Sequence, residues 1–245
     1  LIEIFKKFVD RINNVLAKSN GYENMGNAVV FFIQKFAEIT LKERRGYLIQ
    51  VEIRKLIKTI KDEFCFTSNF IEELLSENIL VKDIKIISNE EIYLLSYERL
   101  LDYAQAMYIL TKYKDETLRL FLSAKENLYI FDDRYKGLLE MLIIYSSDVC
   151  NQELLEYIPD AFKDSVFEIY LSSFQWRKTY PNNTILNDWV KKQITDLKKR
   201  SLFFESIFYV VAKENCPFNA EYLFNLFFPM SMSERDHFWS ISISS

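Results

Sequence analysis

Glycine and proline are scarce, four of each in 245 residues, so chain reversals are few and the elements between them are long. Aromatic residues at 16% and apolar residues at 49% take up the composition instead. That balance favours helices around a sizeable core, in a chain that buries roughly three quarters of its unfolded surface. Gly21, Gly26, Gly46 and Gly137 lie too far apart to form the phosphate-cradling G-x-x-x-x-G-K-[ST] or G-x-G-x-x-G loops. Nucleotide hydrolysis therefore has no visible basis within these residues alone. Histidine occurs once, at His237, so a Ser-His or Cys-His pair would have to be built there, near the carboxyl end. Beside Phe238 it reads more simply as a half-exposed helix histidine.

Cys65, Cys150 and Cys216 are odd in number, widely spaced and without a C-x-x-C, which gives neither a zinc site nor a disulfide framework. That usage fits a reducing compartment, and a cytoplasmic location is expected. The longest apolar runs, such as Met141 to Tyr145 and Ile207 to Ala212, fall far short of the about eighteen residues that span a bilayer. A large charge of one sign is also missing. The net charge is −4, with Lys and Arg interspersed among Asp and Glu, so there is no electrostatic case for wrapping nucleic acid or coating an anionic membrane. The first residue is Leu1, and Leu1 to Val9 is already periodic helix rather than a signal peptide. The expectation is a chain that starts within a longer protein.

What is present is mostly helical periodicity. Leu1, Ile4, Phe5, Phe8, Val9, Ile12, Val15 and Leu16 predict an amphipathic helix over Leu1 to Ala17. Val29, Phe32, Ile33, Phe36, Ala37 and Thr40 predict a second over about Asn27 to Lys42, a short extended piece follows at Tyr47 to Gln50, and Val51, Leu56, Ile57 and Ile60 mark a third helix. Ser68 is placed to cap a fourth whose inner face is Phe70, Ile71, Leu74 and Leu75. After Glu77-Asn78 the period changes to two. Leu80 to Ile87 and Glu91 to Leu95, separated by Ser88-Asn89-Glu90, predict a hairpin. Three helices, a short strand and a closing hairpin are the order of a winged helix.

Beyond Ser96, helices are expected at about Tyr97 to Lys112, Asp115 to Ala124, Leu138 to Ser147, Asp160 to Phe174, Asn187 to Arg200, Leu202 to Lys213 and Pro217 to Phe228, with Pro217 in a first turn. The predicted fold is mainly α: a winged helix, three helices plus a β-hairpin wing, followed by an irregular array of packed helical hairpins. The expected divisions are a helix of a preceding helical domain over 1–26, a winged-helix domain over 27–112 and a helical scaffold over 113–245.

DNA binding is the first function a winged helix raises. The helix that would enter the groove, Ser68 to Glu77, carries Glu72, Glu73 and Glu77 and no Lys or Arg, which repels phosphates and offers no guanine contact. Lys191-Lys192 and Lys198-Lys199-Arg200 read as the solvated face of one helix, with cations near its carboxyl end. The adjacent carboxylates Glu72-Glu73, Glu90-Glu91 and Asp132-Asp133 point in different directions and read as solvated charges.

The stretch LLSYERLLDYAQA, Leu94 to Ala106, resembles a segment of STAND-type NTPases with a NACHT-like core. There a wing strand ends in a Phe/Leu-Ser-Tyr/His step and runs into a helix with an acidic residue before an aromatic and a small one. Within that class it is most similar to the bacterial antiviral Avs family, whose form Y-x-R-hydrophobic-x-D is matched by Tyr97, Arg99 and Asp102. FIEELLSENIL at Phe70 to Leu80 resembles the helix and turn leading into that wing. MSMSERDHFW is similar to a Met-x-x-Arg-Asp-x-x-Trp stretch of the same proteins, carried by Met232, Arg235, Asp236 and Trp239. The resemblance covers residues 1–112 and the short motif at 230–239.

It implies a larger molecule with an ATPase core that binds ATP and Mg, a helical sensor and an effector domain. The neighbouring ATPase and sensor domains would be the partners of this segment, with a protein ligand for the whole. One departure is that many NACHT proteins use a winged-helix histidine on the β-phosphate, and none lies between Leu1 and Asp236. No cofactor or metal ligand and no catalytic residue is expected in this chain. Tyr97, Arg99, Asp102, Arg235, Asp236 and Trp239 are its candidate interdomain contacts. Arg99 and Asp102, three apart on a helix, share a face, while Leu100, Ala104, Met107 and Tyr108 line its buried side. Ser231 and Glu234 are spaced as a capping box. The alternatives are a self-contained helical interaction scaffold and, behind it, a DNA-binding regulator.

Overall fold

A computed structural model describes residues 1–19, 27–64, 69–86, 88–179, 184–213, 216–227, 231–233 and 235. These fall into two compact units, Leu1–Lys112 and Tyr113–Ser245.

In the first unit, α1 (Ile2–Ser19) buries Ile2, Val9, Ile12 and Leu16, the three-to-four spacing that one helix face requires. The sequence set this helix apart as belonging to a preceding domain; here it packs on α2 (Ala28–Glu43) and on α5 (Glu98–Lys112). The stripe Val29, Phe32, Ile33, Phe36, Ala37 and Thr40 of α2 is buried. The helix stops at Arg44, whose left-handed backbone (φ 52°) lets its N–H and that of Arg45 cap the carbonyls of Leu41 and Thr40. Strand β1 (Tyr47–Ile49), α3 (Gln50–Phe64) and α4 (Phe70–Ser76) follow. The proposed cap Ser68 lies outside the described residues, and Asn69, which precedes α4, makes no capping bond with its side chain.

Strands β2 (Leu80–Lys85) and β3 (Glu90–Leu95) pair antiparallel from Leu80 opposite Leu95 to Lys85 opposite Glu90. β1 adds to the other side of β3, with Leu48 opposite Tyr93, giving the order β1-β3-β2. The element order and the sheet are those of a winged helix, and β2–β3 is its wing. With so little glycine, the wing turn places Asn89 in the left-handed region (φ 50°), a conformation Asn tolerates better than most residues.

The second unit is helical throughout its described residues, with α6 (Glu116–Ser123), α7 (Lys136–Asp148), α8 (Asp160–Lys163), α9 (Phe167–Ser173), α10 (Thr184–Gln193), α11 (Leu197–Phe208) and α12 (Ala220–Phe227). Three 3₁₀ segments, Lys125–Phe131, Asp133–Tyr135 and Leu154–Glu156, fill stretches where no periodicity is legible. Buried on nearly every side, α7 packs against α9, and α9 against α11. Phe174 and Phe218 stack at 3.8 Å between ring centroids.

Four helix boundaries differ from expectation, the first being the helix expected over Leu202 to Lys213, which starts at Leu197 and ends at Phe208. The helix expected over Asp160 to Phe174 divides into α8 and α9; between them the Ser165 hydroxyl donates to the Phe162 carbonyl (2.9 Å) and Asp164 accepts from Gln193 Nε2 (2.7 Å). The helix expected over Asn187 to Arg200 ends at Gln193, and Asp196 caps a new one by accepting from the Lys199 N–H at 3.0 Å. Lys191-Lys192 and Lys198-Lys199-Arg200 therefore sit on two helices and not on one face. Arg200 is buried, donating from Nε to the Ile194 carbonyl (2.8 Å) just past the end of α10. Pro217 precedes α12 instead of starting it, since Asn219 Oδ1 accepts from the N–H groups of Glu221 (3.0 Å) and Tyr222 (3.3 Å). Asp196→Ala should cost about 1 kcal/mol by loss of the cap, read as a lower urea midpoint with unchanged slope.

Candidate functional site

The end of the wing, the start of α5 and one face of α1 converge at residues 96 to 103. Ser96, between β3 and α5, fixes the junction: its N–H donates to the Ile79 carbonyl (2.9 Å) and its hydroxyl to the Asn78 carbonyl. Asn78 itself is left-handed (φ 55°). The exit of the wing is thus tied to its entrance. Tyr97 accepts helix N–H groups on its carbonyl, from Leu100 (2.9 Å) and Leu101 (3.3 Å). Its ring is 55% exposed and meets Phe8 of α1 edge-on at 6.0 Å. Arg11 lies 5.8 Å from the centre of that same Phe8 ring. Deeper in, Phe5 stacks on Tyr103 at 5.4 Å.

Arg99 and Asp102 do share a face, at 3.8 Å, with side chains 42% and 16% exposed. That distance is long for a hydrogen bond and suits a loose pair. Leu100, Ala104 and Met107 are buried as the pattern requires, and Tyr108 is half-buried. Burial extends further round α5, to Tyr103, Gln105, Ala106, Ile109 and Leu110. Gln105 Nε2 donates to Thr40 Oγ1 of α2 (3.0 Å) in the interior, and the Tyr108 hydroxyl donates to Glu38 (2.9 Å). Lys35, then Tyr108 and Lys112, hold the Glu38 carboxyl below its usual range against a raising effect of burial.

Of the downstream candidates, Arg235 is half-buried, while Asp236 and Trp239 lie outside the described residues, as do His237 and Glu234 of the expected capping box. The structure brings Tyr97, Arg99 and Asp102 together at the start of α5, while Arg235 belongs to the second unit. Among the adjacent carboxylates, Glu72 is exposed, but Glu91 is engaged. It meets Lys82 across the wing (2.6 Å) and accepts from Gln50 Nε2 (2.7 Å), which hold its carboxyl below the usual range, Lys82 most. Glu72 and Glu73 stand in the first turn of α4.

A second polar constellation escaped the sequence. In the second unit Arg177 donates to Glu153 (2.9 Å) and to the Ser147 hydroxyl (2.9 Å), both ions are wholly buried, and the guanidinium lies 5.1 Å from the Phe218 ring centre. Next to Ser147, Asp148 accepts from the N–H groups of Lys178 (2.9 Å) and Thr179 (3.1 Å). Tyr170, also fully buried, has its phenol pushed well above the usual value, first by burial and next by the Glu153 charge. The end of α7 and the segment after α9 are clasped together here.

Among the described residues no group of His, Cys, Asp and Glu has metal-ligand geometry, and no helix is long and apolar enough to cross a membrane. In comparisons with known proteins, no protein family, no curated protein and no solved structure matches this chain.

Proposed function

We propose that this chain is a coupling module: the winged helix and helical scaffold of a STAND-type signalling NTPase of the Avs kind, which passes ligand binding in a sensor to an ATPase core outside these residues. The observation that carries this reading is the convergence at residues 96 to 103. The wing, α1 and the buried helix α5 meet there, with Tyr97 and Arg99 exposed to a partner surface. Tyr and Arg are the side chains that most often dominate such contacts. The wing cannot tilt without carrying α5, because Ser96 holds both ends of the hairpin.

In the parent protein, Arg99→Ala and Asp102→Ala should each alter signalling while leaving the protein folded, the loose pair itself being worth about a few tenths of a kcal/mol. Signalling assays alongside thermal melts check this, and unchanged signalling in both variants removes the claim for the pair. A self-contained interaction scaffold is the second reading. It is favoured by the large exposed rings at the end of α11, Phe208 at 74% and Tyr209 at 77%. Loss of partner capture on Phe208→Ser with unaltered response to Arg99→Ala would select it.

A further inference from the structure

The buried pair of the second unit leaves more polar chemistry unanswered than a protein interior tolerates. Glu153 Oε1, Tyr170 Oη, Arg177 Nε and Nη1 and Trp189 Nε1 are all enclosed and none has a protein partner in good hydrogen-bond geometry, although the Tyr170 phenol lies near enough to Glu153 and the Leu155 backbone to feel them. They belong to one cluster. Glu153 and Arg177 are in contact, both their charges act on Tyr170, and the Tyr170 and Trp189 rings sit 5.1 Å apart. The residues are between 0% and 8% exposed. Leaving each such atom unsatisfied costs about 1–3 kcal/mol, which over five atoms is comparable with the whole net stability of a folded chain.

The inventory is donor-rich, with three N–H bonds on Arg177 Nε and Nη1, an indole N–H and a phenol O–H against one open carboxylate oxygen. The phenol keeps its proton and so remains a donor. An acceptor is needed that can also donate onward to Glu153. We infer that ordered internal water occupies this cluster, bridging Tyr170 Oη and Glu153 Oε1 to Arg177 or Trp189. Water supplies two acceptor sites and two donors, and folded proteins hold on the order of one buried molecule per 27 residues, typically with three partners. The hydrated node is what makes a fully enclosed Glu-Arg pair tenable in this position, since a buried pair needs its remaining lone pairs and protons satisfied.

A high-resolution crystal structure of the chain tests this. The expected result is a water peak within hydrogen-bond distance of at least two of the named atoms. A dry cluster in which Tyr170 donates directly to Glu153, or a bound ion in place of water, overturns the inference. In solution, the Trp189 indole N–H, assigned by its disappearance in Trp189→Phe, should show a magnetisation-transfer peak from long-lived water. Absence of that peak counts against the site as well.

Discussion

Glu153→Ala is expected to destabilise the chain by about 3–5 kcal/mol, because it strands the Arg177 charge in the interior with one of its two side-chain oxygen partners gone. No rearrangement brings bulk solvent to that guanidinium cheaply: its side chain is 0% exposed and it lies against the Phe218 ring. Arg177→Ala should cost a similar amount, and it also removes a donor from Ser147. Replacing both partners together, Glu153→Leu with Arg177→Met, should recover most of the loss, since two apolar groups of similar size ask for no partner. Urea unfolding of the two single variants and the double variant closes the cycle. A loss below about 1 kcal/mol in Glu153→Ala would mean that the pair relaxes to solvent, contrary to its enclosure.

Phe32→Ala should be as damaging in the first unit, at about 3–5 kcal/mol for a fully buried ring removed from a packed core. Phe32 sits centrally on α2, with its ring 5.8 Å from Phe36 and 6.1 Å from Phe70. Only Phe70 and Leu74 of α4 are buried, so that short helix depends on this contact for much of its anchorage. Amide exchange should therefore accelerate first in α4, ahead of α5, where burial is nearly all round. If α4 keeps its protection while global stability falls, Phe32 acts through other neighbours.

The sequence made the first unit legible because its elements are long and the hydrophobic period changes sharply, from near four in α2 and α3 to two in the wing. Tyr97, Arg99 and Asp102 could be placed at the exit of that wing for the same reason. The role of Ser96 could not, as its hydroxyl meets a carbonyl 18 residues away that only closure of the hairpin brings near. Nor could the Glu153–Arg177 pair, 24 residues apart with both partners outside any expected helix. The break at Asp196 was hidden because a single short side chain, capping through the Lys199 N–H, decides it.

Helix α5 has 15 residues and hence a length of about 22 Å. It is gripped along most of that length by side chains that cannot be compressed. Such a helix behaves as a push rod. Packed on nearly every side, it holds Glu98 and Lys112, the last residue of the first unit, at a fixed separation. The wing exit and the end of the first unit are thus two ends of one stiff part.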